Sequence, residues 1–274
     1  EELQNFVESS GYGNDAAASV GKISMFDYDG PAGFNISVNS PLGDKKSKWT
    51  GFGNETLLGQ TWSTQMAEAM GECFGNEGYE TGINGIYAPG VNLHRSAFNG
   101  RNFEYYSEDS VLSGYLASRV IKGAKENGVY CFLKHFALYG NVGDSIWLSE
   151  QAFREVYLKP FRDAFVEGGA LGAMTTYRGI GGEHSETTTA LLTGVLRKEW
   201  AFKGAITTDY IGTQMYCDSI LRAGGNLGMG CRLGSLSNTK YDKTSSVRLQ
   251  RRLRESAHET IYMWLRADYY EKEY

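Results

Sequence analysis

Hydrophobic and polar positions alternate along the chain between short β-like runs and longer stretches with helical spacing. Six apolar runs predict strands at residues 22–26, 85–88, 130–135, 172–177, 204–209 and 225–229. Amphipathic stretches predict helices at residues 57–79, 110–127, 149–168, 188–200, 213–223 and 246–267. Strands that alternate with helices of this length imply right-handed βαβ units and a parallel sheet.

This alternation predicts the α/β class, and a TIM-type (β/α)8 barrel suits a single domain over residues 1–274. The pattern places only six strands, so closure into an eight-stranded barrel is inferred. The prediction therefore includes a barrel that is incomplete or trimmed. No G-x-G-x-x-G motif opens a helix after the first strand, which disfavours dinucleotide binding. The polar stretch 39–54 predicts a long connection with a functional role.

Polar side chains stand where the predicted strands end. They are Asp27 and Asp29, Asn92 and His94, Lys134 and His135, Tyr177, and Asp209. The carboxyl ends of the strands of an α/β barrel converge on one face, where active sites lie. A single charged residue at a strand end could cap a helix, but five strands that end in this way predict a shared polar pocket.

Composition narrows the function classes. The net charge of −5 and the lack of a Lys/Arg stripe argue against nucleic-acid binding. Four scattered cysteines without C-x-x-C or histidine spacing predict free thiols and neither a metal nor an organic cofactor. No apolar run reaches the roughly 18 residues of a membrane span, and no signal peptide is visible, which favours a cytoplasmic location. The chain begins at Glu1 without Met, as expected of a piece of a longer protein or of a processed or engineered chain.

The run 204–209 ends abruptly in a carboxylate. Asp209 could simply cap the following helix. However, Lys134 and His135 end another strand, and Arg101 lies in a polar loop. Cations near a carboxylate keep it ionised and can bind substrate hydroxyls. An ionised carboxylate beside a sugar is what nucleophilic glycoside hydrolysis requires.

Several motifs resemble glycoside hydrolase family 3. They are DGPAG at 29–33, APGVNLHR at 88–95, GRNFEYYSED at 100–109, KHF at 134–136 and LRKEWAFKG at 196–204. The resemblance covers nearly the whole chain in the family's order, and it is closest to members with reversed domain order, whose chains finish with the barrel.

The resemblance implies a role for each matching position. Asp209 matches the nucleophile of a retaining β-glucosidase that hydrolyses terminal β-linked glucosyl residues through a covalent glycosyl-enzyme. The implied substrate-binding residues are Asp29, Arg101, Lys134, His135, Met174 and Tyr177. Asp29 would grip hydroxyls on the far side of the sugar ring, and the basic residues would hold the sugar. His94 and Arg95 are expected to brace the loop, and Glu104 and Asp109 to pair with cations or cap a helix.

The sequence does not identify the general acid that this mechanism needs. Most of the family takes it from a separate α/β sandwich domain that this chain does not contain, and a single-barrel branch uses an Asp-His pair after Lys-His-Phe. Here Asp144 is followed by Ser145, and the loop looks shortened. Asp144, Glu183, His184 and Glu186 are weak candidates for the acid/base. We therefore expect impaired turnover unless a sandwich domain or a second chain supplies the acid.

Two other interpretations remain open. The chain could be a non-catalytic or weakly sugar-binding barrel scaffold, which the missing acid favours. It could also be a TIM-barrel phosphate enzyme or an aldolase, with Lys134 as a Schiff-base lysine. Two changes from the family pattern, Tyr210 after the nucleophile and Arg178 after the pocket tyrosine, would alter sugar preference.

Overall fold

The computed structural model describes residues 6, 12–35, 49–139, 145–210, 217–229 and 247–267. Its strands are β1 (Gly13–Asn14), β2 (Met25–Asp29), β3 (Gly85–Tyr87), β4 (Tyr130–Phe136), β5 (Ser145–Ile146), β6 (Gly172–Thr175), β7 (Gly179–Ile180), β8 (Glu183–His184) and β9 (Ala205–Thr207). Its α-helices of at least two turns are α1 (Glu55–Thr61), α2 (Thr64–Thr81), α3 (Ser110–Glu126), α4 (Lys159–Val166), α5 (Cys217–Ala223) and α6 (Val247–Arg266). Single helical turns lie at Ala18–Val20, Asn102–Glu104, Glu150–Ala152 and Ser185–Thr187. Wide helical turns of the π type cover Phe153–Tyr157 and Ala190–Glu199.

One six-stranded sheet organises the chain, in the order β1-β2-β3-β4-β6-β9. All its neighbouring pairs are parallel except β1 with β2, which confirms the predicted α/β class and parallel sheet. A parallel bridge from Thr207 to Leu227 extends the sheet beyond β9, where residues 225–229 had predicted a strand. Within the described ranges the sheet is curled but open, so a complete eight-stranded barrel is not confirmed.

Several predicted elements have different bounds in the structure, and the first predicted strand and the first predicted helix show why. The first strand runs from Met25 to Asp29 instead of over residues 22–26, so both aspartates lie within it. The helix predicted at 57–79 is two helices, because Trp62 adopts a left-handed conformation with φ of 54°. The Ser63 side chain then accepts the Met66 N–H and starts a new helix. Periodicity alone does not reveal such a break, because the apolar face continues across it.

The outer face of the sheet packs against helices α2 and α3. A Cβ on Gly71 would come 2.1 Å from the Val120 carbonyl oxygen, and one on Gly123 would come 2.4 Å from the Glu68 carbonyl oxygen. The two helix backbones therefore approach more closely than any side chain at these positions would allow. This contact holds α2 and α3 over the strands that carry the site.

The inner face carries a second apolar cluster, which α6 covers with Met263 and Trp264. Arg197 of the LRKEW motif fixes this arrangement. Its guanidinium donates to the Gly224 carbonyl at 2.6 Å and to the Asn226 side chain at 2.7 Å, and it pairs with Glu259 of α6 at 2.9 Å. The motif that contributed to the family resemblance therefore serves the fold, by holding α6 against the sheet beside β9.

Asp27 is a buried carboxyl group on the inner face. It accepts a hydrogen bond from the Tyr130 hydroxyl at 2.5 Å. Burial raises its pKa to about 7, although Tyr130 and the charge of Lys22 oppose that rise. A raised folded-state pKa means that the folded protein binds the proton more tightly than the unfolded chain does.

We expect the free energy of unfolding to fall as the pH rises from about 4 to about 7, by up to about 4 kcal/mol, because Asp27 must then ionise in a buried place. Urea denaturation of the wild type and of Asp27→Asn at several pH values would measure this. The variant should lack most of the slope between pH 4 and 7. An unchanged slope in Asp27→Asn would show that other groups cause it.

No helix within the described ranges is both long enough and apolar enough to cross a membrane.

Candidate active site

The carboxyl ends of β2, β4 and β9 bring together Asp29, Lys134 and Asp209. Side chains alternate along a strand, so Met25, Asp27 and Asp29 of β2 face inward while Tyr28 joins the outer core. The same alternation from Ala205, which packs in the inner cluster, directs Asp209 inward. The predicted convergence of these strand ends is therefore observed for the carboxylates and the lysine.

A register irregularity in β4 lets two consecutive residues serve one face. The pairing between β4 and β6 shifts between Leu133 and Phe136. Leu133 and Phe136 both pack in the outer core, while Lys134 and His135 between them contact groups of the site. Bulges of this kind commonly re-aim side chains next to active sites.

Lys134 is the central cation of the site. Its Nζ lies 2.9 Å from Asp29 Oδ1 and 3.6 Å from Glu104 Oε2. Burial alone would lower the pKa of Lys134, but the carboxylates of Asp29 and Glu104 outweigh burial and leave the pKa above its usual value. The ammonium group is therefore charged, and it is held at the carboxyl end of the middle strand.

Glu104 joins the two cations of the site. Its Oε1 accepts a short hydrogen bond from Arg101 Nε, while its Oε2 faces Lys134. The Glu104 side chain is 5% exposed, against 31% for Arg101 and 48% for Asp29. Glu104 thus pairs with cations, as expected, but its part in aligning two of them was not predicted from the sequence. Its spacing of three residues from Arg101 was the available signal.

His135 is neutral in this arrangement. Burial lowers its pKa well below the usual value, and the charges of Arg101 and Lys134 lower it further. Arg101 Nη2 lies 3.0 Å from His135 Nε2. Because a guanidinium can only donate, we assign the ring proton to Nδ1, which lies 3.4 Å from the Tyr105 hydroxyl. The 3.6 Å approach of Nε2 to Asp209 Oδ2 is therefore not an ion pair.

Asp209 has one hydrogen-bonded oxygen and one buried oxygen without a hydrogen-bond partner among the described residues. Oδ1 accepts the Tyr210 N–H at 2.7 Å. Oδ2 has no hydrogen-bond partner in the part of the chain that is described. Burial raises the pKa of Asp209, while the Tyr210 N–H, Lys134, Arg101 and Tyr177 oppose that rise. The cations thus act in the predicted direction but only partly offset burial.

Aromatic residues form the wall beside these charges. The Tyr139 ring lies 4.7 Å from the His135 ring and 4.5 Å from the Arg101 guanidinium, and Arg178 faces the same ring at 5.6 Å. The Tyr177 hydroxyl donates to the Tyr210 carbonyl at 2.6 Å, and burial together with Asp209 raises its pKa. Tyr139 carried no signal in the sequence that marked it as a site residue.

Met174 is as buried as Lys134. It is 3% exposed and packs in the inner apolar cluster. Bracing residues lie around the site as expected. His94 Nε2 contacts the Asn102 and Tyr105 carbonyl oxygens at 2.9 Å each, Arg95 stacks on the Tyr157 ring, and Asp109 caps α3.

The acid/base candidates are separated by their environments. Asp144 lies outside the described residues. Glu183 and His184 form β8 and are exposed, whereas Glu186 is fully buried. Both of its carboxyl oxygens are enclosed and make no hydrogen bond with any described residue, and burial raises its pKa. Among the described residues, no group of three or more His, Cys, Asp and Glu side chains is placed so that it could hold a metal ion.

Residues 35–235 match the family described as glycosyl hydrolase family 3 N terminal domain. The chain belongs to glycosyl hydrolase family 3. This family 3 chain is 35% identical over 253 residues to beta-glucosidase A of Butyrivibrio fibrisolvens. That alignment covers 90% of this chain and 30% of the relative. It is 40% identical over 184 residues to beta-glucosidase B of Emericella nidulans. That alignment covers 65% of this chain and 21% of the relative.

Solved family 3 structures have the same fold. Beta-glucosidase 3B from Thermotoga neapolitana, in complex with alpha-D-glucose, aligns with a TM-score of 0.83 and 29% identity, over 96% of this chain and 38% of that one. The GH3 beta-glucosidase of Bifidobacterium adolescentis aligns with a TM-score of 0.84 and 25% identity, over 100% of this chain and 40% of that one. The chain therefore spans less than half the length of these glycosyl hydrolases.

Proposed function

We propose that residues 1–274 form the single nucleophile-bearing, sugar-binding domain of a retaining β-glucosidase. The observation that carries the proposal is the buried Oδ2 of Asp209, which lacks a hydrogen-bond partner among the described residues and lies within the electrostatic reach of Lys134 and Arg101, the cations that Glu104 aligns beside the half-exposed Asp29 carboxylate. The names of the relatives support β-glucosides as the substrate class. The glucose complex of the Thermotoga neapolitana enzyme supports a hexose-sized site.

In this proposal the sugar lies between Asp29 and Asp209. Asp29, Lys134, Arg101 and His135 bind its hydroxyls, while Tyr177 and Met174 complete the wall. Asp209 Oδ2 attacks C1 as the bond to the leaving oxygen breaks, through a transition state with oxocarbenium character. Water then attacks C1 of the glycosyl ester and gives its proton to the group that served as the acid, which releases the sugar and regenerates the Asp209 carboxylate.

The leaving oxygen must also receive a proton, from an acid about 5–5.5 Å from the nucleophile in retaining enzymes. Glu186 is poorly suited because its whole side chain is buried, whereas the Asp209 side chain is 13% exposed. Glu183 and His184 lie on the exposed strand β8. The solved relatives are more than twice as long as this chain. We therefore propose that a further domain or a second chain supplies the acid, and that turnover by residues 1–274 alone is impaired.

The leaving group tests both parts of this proposal. General acid assistance contributes about 10²–10⁴-fold, so the chain should cleave dinitrophenyl β-glucoside, whose phenolate leaves unprotonated, at least about 10²-fold faster than cellobiose. Release of dinitrophenol and of glucose would measure the two rates. A fluorinated glucoside that forms a slow glycosyl ester should label Asp209, as read by mass spectrometry of peptides.

Each alternative predicts a different result. Efficient cellobiose cleavage would show that the chain contains its own acid. Sugar binding without cleavage of any glycoside would favour the non-catalytic scaffold, and a label on another residue would exclude Asp209 as the nucleophile.

A further inference from the structure

Glu55 is a buried glutamate near the candidate active site that the proposed reaction does not use. It is 1% exposed and is the first residue of α1, which Asn54 caps by accepting the Leu57 N–H. Glutamate is almost never fully buried in a protein unless its carboxyl group has a partner. The contacts of Glu55 therefore indicate what this carboxyl group does.

Glu55 binds the backbone segment that holds Lys134. The Gly90 N–H lies 3.1 Å from Glu55 Oε1 and 3.2 Å from its Oε2. Gly90 itself pairs with Lys134 in a parallel bridge. The Lys134 N–H donates to the Pro89 carbonyl at 3.0 Å, and the Val91 N–H donates to the Lys134 carbonyl at 2.9 Å. Because these flanking groups face β4, the Gly90 N–H points the other way, where Glu55 accepts it.

The space between Glu55 and the loop of Glu104 is tight. A Cβ on Gly90 would come 2.4 Å from the Glu104 carbonyl oxygen and 3.1 Å from Glu55 Oε2. The hydroxyl of the next residue, Thr56, lies within 2.9 Å of two carbonyl oxygens of the same loop. The first turn of α1 thus connects the segment that holds Lys134 to the loop that pairs with it.

The surroundings of Glu55 favour its uncharged form. Burial raises the pKa of Glu55 well above its usual value, and the charge of Glu104 raises it too, against the Gly90 N–H, Lys134 and Tyr106. An ionised Glu55 would repel Glu104 and compete with Asp29 for Lys134. Burial also raises the pKa of the other titratable groups within its reach, so they add no charge; these are Tyr105, Tyr106 and Cys131.

We propose that Glu55 is a positioning residue of the sugar site, whose uncharged side chain anchors Gly90 and so keeps the Lys134 ammonium group in place for the sugar. The inference rests on the proposed function, because that function assigns Lys134 to a sugar hydroxyl. Glu55 acts through the Gly90 backbone, which links it to the carboxyl end of β4.

Two substitutions separate the contact of Glu55 from the volume of its side chain. Glu55→Leu has a similar volume but cannot accept the Gly90 N–H, and apolar replacement of buried charged groups is often tolerated. Glu55→Gln keeps an acceptor and stays uncharged. Glu150→Leu is the matched control, because Glu150 also lies in the first turn of a helical segment but its side chain is 77% exposed. Thermal unfolding shows whether each variant is folded.

The test measures kcat/KM for dinitrophenyl β-glucoside and for its four forms that each lack one ring or exocyclic hydroxyl. The calorimetric Kd of glucose and of the matching deoxy sugars gives the same comparison without turnover. Lys134→Met identifies the hydroxyl that Lys134 binds, as the one whose removal causes no further loss in that variant.

We expect Glu55→Leu to lower kcat/KM and glucose affinity at least about tenfold, the loss of one well-placed hydrogen bond to a charged group, and Glu55→Gln and Glu150→Leu to stay within about twofold. In Glu55→Leu, the loss caused by removing the Lys134-bound hydroxyl should shrink, while the losses for the other hydroxyls should not change. Infrared difference spectra between the wild type and Glu55→Gln should contain the carbonyl band of a protonated carboxyl group.

Equal losses for every hydroxyl would indicate a general structural defect and overturn the inference. Full activity in Glu55→Leu, equal impairment of Glu55→Gln and Glu55→Leu, or a carboxylate band in the infrared difference spectrum would also overturn it. If no glycoside is cleaved but the Kd values follow the expected pattern, the inference holds for sugar binding and the catalytic part of the proposed function is wrong.

Discussion

Asp209→Asn is expected to lower kcat for dinitrophenyl β-glucoside by about 10³-fold or more, equivalent to ~4 kcal/mol of lost transition-state stabilisation. The amide has nearly the same shape, but it lacks the negative charge and lone-pair reactivity of Oδ2. Since the phenolate leaves unprotonated, the absence of an acid cannot hide the effect. Steady-state release of dinitrophenol measures it, and calorimetry with glucose should show that the sugar still binds.

Asp109→Asn is the matched control. Asp109 caps α3 by accepting the Leu112 N–H at 2.7 Å, and asparagine caps helices equally well. Activity should therefore be unchanged in this variant. Full activity in Asp209→Asn would exclude the proposed mechanism.

Glu104→Gln is expected to lower the free energy of unfolding by about 3–5 kcal/mol, the usual cost of removing one partner from a buried charge pair. Glu104 faces Lys134 with both side chains at most 5% exposed, and it also holds Arg101. Its loss leaves both cations without the carboxylate between them. Urea denaturation measures the effect, and a raised KM for dinitrophenyl β-glucoside should accompany it.

Glu199→Gln is the control for this prediction. Glu199 pairs with Arg154 at 2.7 Å, but the two side chains are 46% and 42% exposed. Exposed pairs contribute about 0–1 kcal/mol, so this change should have little effect on stability. Equal losses in both variants would mean that the burial of Glu104 does not determine its contribution.

The sequence indicated the fold well wherever periodicity is local. The strands at 130–136 and 85–87 and the helix at 110–126 lie within about one residue of their predicted bounds. The break at Trp62 depends on a single left-handed residue, and the extent of sheet closure depends on long-range packing. The placement of α6 against the inner face likewise depends on the Arg197 network, whose partners are far apart in the chain.

The sequence allowed us to predict which strand ends form the site, but not the contacts among its side chains. Asp29, Lys134 and Asp209 each follow or end an apolar run, so convergence followed from topology. The neutral state of His135 depends on burial of its ring and on Arg101, 34 residues away, which reaches its Nε2. A cavity beside Asp29 combines residues 29–35 and 49–55 with Arg101 and Glu104. Such features arise from tertiary distances, which no local pattern encodes.

The neutral state of His135 has a consequence for the electrostatics of the proposed reaction. Arg101 and Lys134 together carry two positive charges, which Asp29 and Glu104 balance with two negative ones. An ionised Asp209 is then a surplus anion in a largely dehydrated hollow, and ester formation with the sugar removes that surplus. The surroundings of Asp209 would therefore favour the glycosyl ester over the free carboxylate. For activated substrates, hydrolysis of this ester, and not its formation, would then limit turnover.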